Sequence, residues 1–133
     1  MKANPVLHFE MPYVDRQRMS DFYGKAFGWK AEMMGKEYGD YVVVMTSEVG
    51  EDKRPKERGM INGGFYKKPD DEMGKCPSVV IAVDDIEKAM ERVKESGGKV
   101  VGKPDDIPKV GLYVSFIDTE GNRISMLQPS EKM

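Results

Sequence analysis

The chain contains a single histidine, His8, two residues before a carboxylate, Glu10. With an ordinary pKa near 6.5, an imidazole here suits a general base, a hydrogen-bond donor or a metal ligand. From Val6 to Val14 the residues alternate, which sets Leu7, Phe9, Met11 and Tyr13 on one face of a strand and His8, Glu10 and Pro12 on the other. Two residues along a strand place α-carbons about 6.5 to 7 Å apart, so both side chains can reach one ligand or ion. Other readings stand beside these: His8 as a neutral imidazole hydrogen-bonded in an interior, and Glu10 as a charge facing water. Trp29, the one tryptophan, is a candidate stacking contact for a ligand, and equally suits packing where a helix meets the sheet.

The elements that must position these residues occur twice. The run H-F-E-M-P-Y-V-D from His8 leads into a helical stretch ending at Gly28, and S-V-V-I-A-V-D-D from Ser78 leads into another ending at Gly97-Gly98. Asp15 falls opposite Asp85, Gly28 opposite Gly98, and Ser78 opposite His8. A duplicated strand-then-helix unit builds one hydrophobic face twice, and two such units can close around a shared space.

In the first copy Asp15 offers an N-cap, and Met19, Phe22, Tyr23, Ala26 and Phe27 form one helical stripe before Gly28. Strands are expected at 30–34 and 41–46 around an Asp40-centred turn, and at 60–66, where Gly63-Gly64 signals a bulge or a close approach of another group to the backbone. Residues 47–59 read as a solvated loop, and 67–77 as the connector between halves. In the second copy a strand is expected at 78–83, then a helix with Ile86, Ala89, Met90 and Val93 on one stripe, capped by Asp84 with Glu87 at capping-box spacing. A short strand at 99–101, a loop at 104–108, and a hairpin of 112–117 and 123–127 across D-T-E-G-N complete it. Each half is βαβββ, with module one at about 5–67 and module two at about 77–129 of a single 133-residue domain.

Composition narrows the function. A net charge of −2 gives no electrostatic reason for binding nucleic acid or an anionic membrane. The single Cys76 forms no internal disulfide, and no His/Cys cluster has zinc spacing. No long apolar run or signal-peptide core is read, so a cytoplasmic location is expected. The eleven methionines suit irregular core gaps or an adaptable binding surface. No nucleophile motif, phosphate loop or dinucleotide fingerprint is present.

The runs D-R-Q-R-M-S-D-F-Y-G-K-A-F-G-W at 15–29, V-D-D-I-E-K-A-M at 83–90, E-S-G-G-K-V at 95–100 and F-I-D-T-E-G-N-R-I at 116–124 resemble the vicinal oxygen chelate superfamily, the glyoxalase, bleomycin-resistance and extradiol-dioxygenase group. The resemblance implies an α+β fold in which two tandem βαβββ modules form a curled, cup-shaped mixed sheet with helices outside. It also implies a homodimer. His8 and Glu10 would then face into the cup, with Ser78, Val80 and Ala82 inward and Val79, Ile81 and Val83 under the helix.

Metal-using relatives hold a divalent ion with His, Gln or Glu from the first and last strands of each module, for Lewis-acid chemistry on vicinal oxygens of the substrate. His8 matches the first ligand position. The other places carry Ser78, Ser125 and Asn62-Gly63-Gly64, and a hydroxyl is a poor ligand for a divalent ion. The expectation is therefore no cofactor, with a divalent metal as the alternative in which Glu10 joins His8. The leading function is binding of a small organic molecule, with His8, Glu10, Ser78, Ser125 and Trp29 as ligand contacts and His8 and Glu10 as catalytic candidates. The alternatives are a metal-dependent lyase or isomerase of the lactoylglutathione lyase type and a dimeric interaction module. Ligand identity and oligomeric state are open at this level.

Overall fold

A computed structural model describes residues 2–130, apart from the side chain of Met73. Its elements are β1 (Val6–Tyr13), α1 (Arg16–Phe27), β2 (Lys30–Met33), β3 (Val42–Met45), β4 (Gly63–Lys67), β5 (Ser78–Ala82), α2 (Ile86–Glu95), β6 (Lys99–Ile107), β7 (Gly111–Ile117) and β8 (Arg123–Pro129). The fold is mixed α+β, and each half is a βαβββ unit. One compact unit is His8–Pro77; the other joins the residues up to Leu7 with those from Ser78 onward.

In the first unit the strand order is β2-β3-β4-β1, with β1 and β4 parallel and the other pairs antiparallel. Asp15 caps α1, its carboxylate accepting from the Arg18 amide at 3.0 Å, and Gly28 ends the helix at φ 74°. Tyr13, Val42, Val44 and Phe65 form the buried cluster on the helix side. α1 itself buries no residue, and Phe22 and Phe27 are 58% and 65% exposed. The expected Asp40-centred turn is present, with Asp40 at φ 57° and its carbonyl accepting from the Tyr13 hydroxyl at 2.8 Å. A single 3₁₀ turn at Lys36–Tyr38 precedes it, where no regular element was expected.

Strand β4 starts at Gly63, later than expected, and its two glycines serve opposite faces. A Cβ on Gly63 would strike the Phe9 ring, and one on Gly64 would overlap the Tyr41 hydroxyl and ring. The expected close approach is therefore made by side chains of the same sheet, one on each face.

In the second unit the order is β5-β8-β7-β6, with β5 and β8 parallel. The core is Val83, Ile86, Ala89, Met90, Val114 and Met126, with Ile81 and Phe116 against it. This puts Ile81 and Val83 under α2, as the alternation requires. The segment before β1 runs beside β5, the Ala82 amide donating to the Pro5 carbonyl at 2.9 Å.

Two local expectations are corrected. The cap of α2 is Asp85, which accepts from the Lys88 amide at 3.1 Å, and not Asp84; the Ile86 amide is met from β8, by the side-chain carbonyl of Gln128 at 2.9 Å. The expected Gly97-Gly98 stop is present: Gly97 takes the left-handed conformation at φ 99°, while Gly98 is pressed against Val93 and the Ile117 carbonyl. Residues 104–107 are strand, because β6 resumes pairing with β7 after an irregularity between Val101 and Asp105.

Gly64→Ala is expected to destabilise the protein by about 1–3 kcal/mol, since the added methyl displaces Tyr41. Urea unfolding measures it; an unchanged midpoint would show that Tyr41 swings away freely.

Candidate functional site

Strand β1 carries His8 and Glu10 on the face opposite Phe9 and Met11, which pack with the helix-side cluster. Glu10 is only 5% exposed, which corrects the reading of a charge facing water. A buried carboxylate needs donors, and Tyr41 supplies one, its hydroxyl donating to Glu10 Oε2 at 2.8 Å. The register explains the reach: Glu10 stands beside Gly64, and Gly64 beside Val43, two residues from Tyr41 on the same face. With no side chain at 64, the tyrosine lies across β4 to the carboxylate.

His8 is half-buried. Burial lowers its pKa below the ordinary 6.5, and the neighbouring Glu10 carboxylate partly offsets this. Near neutral pH the imidazole is therefore uncharged, with one nitrogen able to donate and one to accept.

Trp29 lies on the other side of the sheet. Its ring stacks on Tyr23 at 4.6 Å between centroids and meets Phe9 at 5.5 Å. That is the packing role at the helix-sheet junction, and it corrects Trp29 as a ligand contact alongside His8 and Glu10.

In the second unit Ser125 is 2% exposed and faces away from α2, paired with Val80 of β5 and Ser115 of β7. Its Oγ lies 2.7 Å from the Tyr113 hydroxyl and 3.0 Å from Ser115 Oγ. Ser115 Oγ also accepts from Arg123 Nη2 at 3.2 Å. Ser78, half-buried, shares the face of Val80. Tyr41, Tyr113, Ser115 and Arg123 were not singled out from sequence. The parity of Arg123 with Ser125, and of Tyr113 with Ser115, was the available signal.

At two of the positions expected to ligate a divalent ion the side chains make other contacts. Asn62, the carboxamide at a family ligand place, uses its Oδ1 to accept from the Thr46 amide at 2.9 Å. Ser125 is engaged with two hydroxyls. Among the described residues no three His, Cys, Asp or Glu side chains converge.

A cavity of about 330 Å³ opens in the second unit on the α2 side of the sheet, between Ile81, Val93, Phe116 and Met126, with Arg92 and Thr119 at its rim. It lies on the face opposite Ser125.

The chain is 29% identical over 114 residues to a glyoxylase-like domain-containing protein of Didymella fabae, covering 85% of this chain and 84% of that one. A shorter match, 37% identical over 57 residues and 43% of this chain, is to an ethylmalonyl-CoA/methylmalonyl-CoA epimerase of Cereibacter sphaeroides, of which it spans 42%. Among solved structures, a variant of Streptomyces coelicolor methylmalonyl-CoA epimerase in complex with 2-nitronate-propionyl-CoA has the same fold, with a TM-score of 0.69 at 12% identity over 98% of this chain and 100% of that one. The family model of the Glyoxalase/Bleomycin resistance protein/Dioxygenase superfamily matches residues 6–126, and the chain belongs to that superfamily.

Proposed function

We propose that the protein binds a small organic molecule on the β1 face that carries His8 and Glu10, without a complete metal site. The observation that carries this reading is the Glu10 carboxylate, buried on that face and held by Tyr41 at 2.8 Å. Burying a charge costs free energy, and a carboxylate kept there with an oriented donor suits recognition of a polar ligand group. Beside it, neutral His8 adds one donor and one acceptor. Superfamily membership supports a small-molecule ligand, as do the epimerase neighbours, one of them solved with a CoA ester.

A second reading is an isomerase that moves a proton at the carbon next to a thioester, favoured by the epimerase relatives. In it Glu10 accepts the proton and Tyr41 keeps the carboxylate oriented. Incubating the protein with an acyl-CoA bearing an acidic α-proton in D₂O tests it: deuterium uptake abolished by Glu10→Gln supports the isomerase, and no uptake leaves the binding reading.

In a thermal-shift screen of small metabolites, a ligand present at 100 times its Kd should stabilise the fold by about 2.7 kcal/mol, and His8→Ala or Glu10→Gln should remove most of that gain. One equivalent of nickel, zinc or manganese retained through dialysis, and lost in His8→Ala, would overturn the metal-free part.

The lowered pKa of His8 sets a pH dependence with a definite sign. Unfolded His8 takes up its proton near pH 6.5, whereas folded His8 does so only at lower pH, so the unfolded state binds more protons in between. The stability due to neutral His8 is complete above 6.5 and declines as pH falls toward the folded value. His8→Gln should flatten this part of a plot of Tm against pH; an identical slope in the variant would assign it to other groups.

A further inference from the structure

We propose that Arg123, on the β7–β8 face of the second unit, binds the carboxylate of a small aliphatic acid. Arg123 is half-buried, and its guanidinium donates to one neutral acceptor, Ser115 Oγ at 3.2 Å. Neither of the ion pairs seen, Lys56–Glu48 and Lys75–Glu72, involves this guanidinium. A guanidinium has five N–H donors in a planar fork, and the bond to Ser115 uses one. The remaining donors include an edge matched to the two oxygens of a carboxylate.

The surroundings hold the fork in place. Ser115 is itself tied to Ser125 at 3.0 Å, and Ser125 to Tyr113 at 2.7 Å, so a chain of hydroxyls across β7 and β8 anchors the group that Arg123 grips. Ser115 and Ser125 are buried, which keeps water from loosening that chain. Such bracing reduces what ordering the arginine costs when an anion arrives.

The register supplies the rest of the ligand. Arg123 stands beside Ile117, and Ile117 beside Lys99, so a second cation lies in the same row, about 10 Å from Arg123 across two strand spacings. The next row runs Ser125, Ser115, Val101, and Val101 is 46% exposed. A carboxylate on Arg123 therefore has Ile117 and Val101 as apolar surface for a short alkyl body. That combination favours a compact aliphatic acid over inorganic phosphate, which gains nothing from the apolar residues.

Titration of the full chain with butyrate, acetate and inorganic phosphate, followed by amide and arginine side-chain NMR shifts, tests the assignment. Butyrate is expected to saturate, to move the Arg123 and Ser115 signals, and to bind more tightly than acetate or phosphate. Arg123→Gln should weaken butyrate by about tenfold or more, and Arg123→Lys should recover only part of the loss. Val101→Asp, at a 46% exposed position, should also weaken it by charge repulsion, with the far-UV circular dichroism unchanged. No saturable binding, equal binding by Arg123→Gln, or phosphate binding as tightly as butyrate would each overturn the proposal.

Discussion

A carboxylate taken out of water must be met by donors, and in this chain that requirement shapes the middle of the first module. Glu10 is buried, Tyr41 answers it, and Tyr41 can do so only because position 64 has no side chain. The neighbouring Gly63 makes the matching allowance for Phe9 on the helix face. Two glycines in a strand weaken it by removing packing and adding chain entropy, and here each loss is set against a specific aromatic contact. The polar face and the hydrophobic face of the module are thus fixed by the same pair of residues.

The second module solves the corresponding problem with neutral groups. Ser125 and Ser115 are buried as deeply as Glu10, yet they satisfy one another and Tyr113, and carry no charge that must be balanced. The duplication therefore preserves the scaffold while the chemistry of the two faces differs: a carboxylate with an uncharged imidazole in one, hydroxyls with a guanidinium in the other. Asn62 and Ser125, at two of the positions where metal-using relatives would place ligands, make a backbone contact and hydroxyl contacts.

Features set by adjacent residues were legible in the sequence. Asp15 and Gly28 act through local backbone geometry, and the alternation placed Phe9, Met11 and Tyr13 of the first copy and Ile81 and Val83 of the second on the helix side where they are found; of the α1 stripe only Met19 and Tyr23 meet the core, while Phe22, Ala26 and Phe27 are exposed. What failed was either one residue of phase or an interaction across strands. Asp84 and Asp85 are equally good caps until the strand before them fixes the phase. The strand at 104–107 is hidden because Pro104 and two aspartates read as a loop, and only its partner β7 reveals the pairing. Tyr41 and Arg123 gain their meaning from register, which no single stretch of sequence contains. Trp29 had two plausible environments, and aromatic neighbours from β1 and α1 decided between them.

The two helices, similar in sequence position, are fastened very differently. α2 drives Ile86, Ala89 and Met90 into its sheet and is tied at its start to Gln128, whereas α1 buries nothing completely and rests on a stack of half-covered rings. Close-packed aliphatic side chains resist displacement, while rings that are only half covered give up part of the contact area they could bury. The half bearing His8 and Glu10 thus leaves more of its helix in water, whereas α2 has Ile86, Ala89 and Met90 sealed against its own strands.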